Sequence, residues 1–147
     1  MSGLSAIGKP RPEQSFLCFD YGLKRVGVAT GNTLLGQARP LKTLSLEGQA
    51  RFDAIADLVR QWQPDALVVG VPFHPDGAEH ENTARARRFA RQLAGRLGLP
   101  VHEVDERYST VEAQALGGQS ETGSSGGAGI DAQAAAVILQ QFLDSQT

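Results

Sequence analysis

Cysteine is nearly absent: Cys18 stands alone in 147 residues. No internal disulfide can form, which excludes a disulfide scaffold and a Cys-rich zinc site and points to a reducing compartment. Long hydrophobic runs are missing too. The longest, Ala66 to Phe73, spans eight residues and is interrupted by Gly70 and Pro72, whereas a membrane-spanning helix needs about 20 apolar residues. Met1 to Pro10 have neither a basic start nor an apolar core, so the expectation is no secretory signal and a cytoplasmic protein without membrane partners. Neither sign of charge is in excess: 14 basic residues face 16 acidic ones, a net charge of −2. A polyanion would have to be held by a local patch or through cations, not by overall charge.

What remains is ordinary globular material, 41% hydrophobic and 20% charged, too apolar for a disordered chain and long enough for one domain. Residues 1–15 read as a disordered tail and 16–147 as a single domain. Phe16-Leu17-Cys18-Phe19 is a continuous apolar run ending in Asp20, which suits a strand buried on both faces. Tyr21 to Lys24 supply a turn, and Arg25 to Thr30 a second strand. So short a connection makes the pair an antiparallel hairpin. A third strand is expected around Leu41 to Leu44, after Pro40.

From Gln49 the period becomes helical, with Phe52, Ile55, Leu58, Val59 and Trp62 on one side and Pro64 as the stop. Ala66 to Val71 is the best buried strand. A second helix carries Ala86, Phe89, Ala90, Leu93 and Leu97 and ends at Gly98-Leu99-Pro100. Val101 to Asp105 form a fifth strand, and Thr110 to Leu116 a short helix. Residues 117–129, with six glycines and three serines, read as a flexible loop. A last helix runs from Asp131 to about Phe142.

This element order predicts an α/β protein: an antiparallel three-strand meander, then two strands reached by right-handed helical crossovers. The expected five-stranded mixed sheet has the order 3-2-1-4-5, with strand 2 antiparallel and helices on both faces. Strands 1, 4 and 5 run parallel, so Asp20, Gly70 and Asp105-Glu106 gather at one edge, where open α/β sheets usually bind ligands.

A charge at Asp20, directly after four apolar residues, is costly without compensation. Either it caps the turn at Gly22 or pairs with Lys24 or Arg25, or it holds a metal. Asp105 and Glu106 point to opposite faces if the strand continues. The gap from strand 5 to strand 1 is about 10 Å at roughly 4.8 Å per strand. The longer Glu106 spans it more easily, with Asp105 close behind. Asp131 either stabilises the first turn of its helix or joins the cluster. Converging carboxylates must bind protons or cations, and an all-oxygen set favours Mg²⁺ or Mn²⁺. Two such ions can activate water and stabilise a leaving oxygen in phosphodiester hydrolysis.

Arg25 and Arg107 adjoin this edge and either touch phosphates or pair with the same carboxylates. Arg85, Arg87, Arg88, Arg91 and Arg96 crowd residues 81–98 opposite Glu81, as a solvated face or a nucleic-acid contact led by Arg85 and Arg88. His74 and His80 fit no zinc spacing and read as a surface loop.

Four segments carry a resemblance: Phe19-Asp20-Tyr21-Gly22 with Arg25 to Ala29; Val68 to Pro72 with Asp76-Gly77; Asp105-Glu106-Arg107-Tyr108-Ser109-Thr110-Val111-Glu112-Ala113; and Ile130 to Ala135. Together they resemble the YqgF (RuvX) family over about residues 16–143. That resemblance implies the RNase H-like fold and a nuclease maturing the 5′ end of pre-16S rRNA, or a Holliday junction resolvase. It implies catalytic roles for Asp20, Asp105, Glu106 and Asp131, with Asp20, Glu106 and Asp131 as ligands of Mg²⁺ or Mn²⁺, two ions in all. The implied partners are structured RNA such as pre-rRNA on the ribosome, or branched DNA, and a second copy in a homodimer. Where many related nucleases carry an acid at the end of the fourth strand, this chain has Gly70-Val71-Pro72, so the middle carboxylate must come from the fifth. Two other readings stay open: a non-catalytic ribosome-assembly factor, and an ATPase-like phosphate turn at Asp20-x-Gly22.

Overall fold

Strand alternation sorts the side chains of this protein into two cores. The structure, a computed structural model, describes residues 13–106 and 129–146. The expected N-terminal tail as far as residue 12, the short helix 110–116, Arg107 and the glycine loop as far as residue 128 lie outside the described residues. Five strands, β1 (Ser15–Asp20), β2 (Val26–Asn32), β3 (Ala38–Leu44), β4 (Ala66–Val71) and β5 (Val101–Asp105), form one sheet in the order β3-β2-β1-β4-β5. β2 runs antiparallel to both β1 and β3, while β4 is parallel to β1 and β5 is parallel to β4. Helices α1 (Gly48–Trp62), α2 (Thr83–Leu97) and α3 (Gly129–Asp144) complete the domain. Sheet order and strand directions agree with the sequence expectation.

Leu17 and Phe19 of β1 pack with Val26 and Val28 of β2, Leu67 and Val69 of β4, and the inner faces of α1 and α2. Phe16 and Cys18 of β1 instead join Ala29, Ala66 and Val68 beneath Ala135, Ile138 and Leu139 of α3. The sheet is therefore covered on both sides, by α1 and α2 on one and α3 on the other. α3 lies close because β2 offers it Gly27, Ala29 and Gly31. A Cβ on Gly31 would stand 3.2 Å from the Leu139 and Leu143 methyls, and one on Gly27 would stand 1.9 Å from the Asp131 carbonyl oxygen. Glycine inside a strand marks such close approach.

Two boundaries differ from expectation. β1 begins at Ser15, whose N–H donates to Asp65, and Gln14 exchanges hydrogen bonds with Thr33, so the ordered chain reaches back before residue 16. β3 begins at Ala38 and contains Pro40, opposite Ala29 at a register shift. It is an edge strand, and an edge strand tolerates a residue with no N–H to give. The helix stops fall where Pro64 and Gly98 place them. Gln63 (φ 48°) and Gly98 (φ 68°) both take the left-handed conformation and return an N–H to the preceding turn.

Candidate active site

Asp20 closes β1 on the face that carries α3, following Phe16 and Cys18 by alternation. Its neighbours in the sheet are Gly27 on β2 and Gly70 on β4. Each glycine admits one further acid. Over Gly70 sits the Glu106 carboxylate: a Cβ there would lie 2.6 Å from Glu106 Oε2 and 2.5 Å from Ile138 Cδ1. Glu106 continues β5 by one residue, its N–H donating to the Val71 carbonyl. It shares the α3 face with Val104 and with His102, whose ring meets Phe142 at 5.0 Å. Its side chain thus crosses β4 to reach Asp20. Gly70, with no side chain at this strand end, is what lets the β5 acid in.

The two carboxyl groups are hydrogen-bonded to each other. Two ionised carboxyls this close repel each other, so the pair favours taking up a proton or a cation. Burial pushes the Asp20 carboxyl well above the usual carboxylate range, and the Glu106 charge, its hydrogen bond and then the Asp131 charge push it further. The thiol of Cys18 beneath them is also raised, by burial first and then by Asp20 and Glu106, which leaves it inert. Glu106 is only 8% exposed, whereas Asp105 is exposed and is not among the groups acting on Asp20. Alternation thus selects Glu106.

Asp131 lies in the first turn of α3. Its backbone carbonyl rests on Gly27, the sheet partner of Asp20. Its carboxylate accepts a 2.8 Å bond from Arg25 Nε, with side-chain exposures of 29% for Asp131 and 60% for Arg25. Arg25 therefore binds an acid of this cluster, and its exposed guanidinium stays at the mouth of the site. Arg85 and Arg88 lie on α2, on the other face of the sheet. The structure brings Asp20, Glu106, Asp131 and Arg25 together and sets Arg85, Arg88 and Asp105 apart from them.

As a cation site the cluster offers hard oxygen donors alone, the chemistry of Mg²⁺ or Mn²⁺. Two carboxyls pressed together, with the Glu106 Oε2 buried over Gly70, call for positive charge between them, which fits a divalent ion. Among the described residues no three His, Cys, Asp or Glu side chains form a ready-made metal cage. The Asp20–Glu106 pair is the core of the site, and Asp131 stands beside it with its carboxylate bonded to Arg25. Sequence reading missed Gly27 and gave Gly70 no role beyond a missing acid. The available signal was a glycine on each strand that flanks Asp20.

Residues 14–145 match the family model of RuvX, described as Holliday junction resolvase. A protein of Albidiferax ferrireducens, provisionally named a pre-16S rRNA nuclease, is 60% identical over 132 residues, 90% of this chain and 79% of its own. A Polaromonas relative of the same name is 58% identical over 90% of this chain and 89% of its own. In fold the chain is similar to Thermus thermophilus RuvC in complex with Holliday junction substrate. That likeness has a TM-score of 0.56 at 17% identity and covers 90% of this chain and 95% of the RuvC chain.

Proposed function

This chain belongs to the RuvX family, and from that membership we propose that it is a divalent-metal-dependent nuclease that trims the 5′ end of pre-16S rRNA. The observation that carries this reading is the Asp20–Glu106 carboxyl pair set together over Gly70 at the carboxyl ends of the parallel strands, with the Asp20 carboxyl raised by burial, by Glu106 and by Asp131. A purely structural pair of acids would be an expense at that position; a pair waiting for a cation has a reason to be there.

Asp20 and Glu106 hold the ion, and Asp131, oriented by Arg25, completes the ligand set. Bound divalent ions supply an activated water and charge stabilisation for the leaving oxygen. The chain's own residues set the conditions. The raised Asp20 carboxyl must be deprotonated before it can serve as a ligand, so cation affinity falls as pH falls. Arg25 keeps Asp131 in place and presents a planar guanidinium suited to a phosphate oxygen. Arg107, next in sequence to Glu106, is the second phosphate contact in this reading, and Arg85 and Arg88 meet the substrate farther from the scissile bond. Asp105 supports the strand end without serving as a ligand. A cytoplasmic location goes with a pre-rRNA substrate, and no helix among the described residues is long and apolar enough to cross a membrane.

The test is incubation of the purified chain with Mn²⁺ beside three substrates: a pre-16S 5′ leader, a four-way DNA junction and a linear duplex. Cleavage of the leader, lost in EDTA and in Asp20→Asn and Asp131→Asn, is the expected result. Cleavage of the junction alone would favour a homodimeric resolvase, the reading to which the family description points. Leader binding that persists in EDTA and in Asp20→Asn, with no cleavage by the wild type, would instead mark a ribosome-assembly factor that kept the fold.

A further inference from the structure

On the opposite face of the same rim, a cleft of about 330 Å³ opens between α1 and α2, lined by Tyr21, Phe52 and Phe89 and by Arg51, Arg85 and Arg88. Tyr21 follows Asp20 directly, and alternation sends it away from α3, against Phe89 at 5.1 Å between ring centroids. The cleft and the carboxyl pair are thus the two sides of one strand end.

Arg51 is the unusual member. It is 5% exposed, donates from Nε to the Leu46 carbonyl at 2.7 Å and from a terminal nitrogen to the Leu23 carbonyl at 2.9 Å, and lies over the Tyr21 ring at 5.5 Å. Carbonyls satisfy donors but do not neutralise a charge, and a buried cation without a counter-charge is costly. Among the described residues the ion pairs engage Arg25, Arg60 and Arg87, and none engages Arg51, Arg85 or Arg88. Three guanidinium groups therefore meet in one concavity against a single acid, Glu47, over an aromatic floor. A role confined to tying loops together would explain Arg51, whereas Arg85, which donates to the uncharged Asn82 at 3.0 Å, and Arg88 bring two further charges to the same cleft.

We propose that this cleft is a subsite for one phosphate-linked nucleotide of a single nucleic-acid strand, its phosphate held by Arg85 and Arg88 beside Arg51 and its base against Tyr21, whose ring is backed by the buried Phe89. The subsite rests on the nuclease reading and adds to it: the substrate strand crosses the rim unpaired, with one nucleotide beyond the scissile phosphate seated in the cleft. The volume lies at the small end of ligand sites, roughly 300–1,000 Å³, which suits one nucleotide and excludes a duplex.

Binding of a short fluorescent single-stranded RNA to the full chain, followed by anisotropy in EDTA at several salt concentrations, tests this without cleavage. The Arg85→Ala/Arg88→Ala double variant removes two exposed side chains and leaves the fold intact. It should weaken binding roughly tenfold at low salt and flatten the salt dependence by about 0.7 in slope, the value for one phosphate contact on a single strand. Gln92→Glu, which places a carboxylate in the cleft, should weaken binding likewise. Gln61→Glu, the same charge change on an exposed position of α1, should not. Equal slopes in wild type and double variant, or equal losses from Gln92→Glu and Gln61→Glu, would overturn the subsite. Failure of the nuclease reading would show separately, as no metal-dependent cleavage by the wild type.

Discussion

The Asp20 carboxyl is raised because the chain buries it beside Glu106, and that has a consequence for stability. A carboxyl whose folded value is raised favours the folded state at pH below its unfolded value, near 3.9 for Asp. That stabilisation is lost as pH rises through the raised value, where the folded state must give up a proton it binds more tightly than the unfolded chain does. Asp20→Asn removes the titration and leaves an amide able to donate to Glu106. In EDTA its Tm should match that of the wild type near pH 4 and exceed it at neutral pH. Because Asp20 keeps some contact with water, screening limits the gain. A rise of about 2–4 °C, which corresponds to roughly 1 kcal/mol at this chain length, is expected by calorimetry. Activity should fall by more than the roughly 10–100-fold typical of losing an outer partner of a metal ligand.

Gly70 makes a complementary prediction. Alanine there meets Ile138 Cδ1 at 2.5 Å and Glu106 Oε2 at 2.6 Å, both ends of movable side chains. Gly70→Ala should fold, lose about 1–3 kcal/mol through overpacking, and lose cleavage because Glu106 is displaced from Asp20. A variant that cleaves normally in the leader assay would show that Glu106 need not lie over Gly70.

At the scale of elements, the placement of α3 is what makes Asp131 part of the site. β2 gives this helix a floor of Gly27, Ala29 and Gly31, and α3 answers with buried Ala132, Ala135 and Leu139. Gly27→Ala would drive a Cβ into backbone, 1.9 Å from the Asp131 carbonyl oxygen and 2.9 Å from the Ala132 nitrogen. No side-chain rotation relieves that. Its cost in urea unfolding should reach or exceed the upper end of the roughly 1–3 kcal/mol usual for overpacking, more than Gly70→Ala. Breaking the exposed Arg25–Asp131 pair should cost at most about 1 kcal/mol, so activity lost in Asp131→Asn cannot be attributed to unfolding.

For the molecule as a whole, ligand binding at the rim is linked to folding. A divalent ion that binds the folded chain alone stabilises it by about 2.7 kcal/mol at a hundred times its dissociation constant. Mg²⁺ or Mn²⁺ should therefore raise the Tm of the wild type at neutral pH, less so at pH 5, and leave Asp20→Asn almost unmoved. A cation response that is equal in both proteins would remove Asp20 from the binding site.

The strands, the hairpin, the crossovers and hence the sheet order were legible in the sequence. Apolar runs such as Phe16–Phe19 and Ala66–Val71, and stops such as Pro64 and Gly98, act locally, and local rules fix period and direction. Alternation showed in the sequence that Asp105 and Glu106 part to opposite faces, and side-chain length favoured Glu106, but which face looks on Asp20 was left to the fold. Tertiary structure alone decided how far apart the acids stand. Glu106 meets Asp20 only because Gly70, on a strand between them, has no side chain, and Asp131 arrives only because Gly27 lets a helix lie against the sheet. The convergence of Arg51 with Arg85 and Arg88, which lie 34 and 37 positions later in the chain, follows from the packing of two helices. Spacing along the chain carries no information about such distances, because they are set by volume left empty on a neighbouring element.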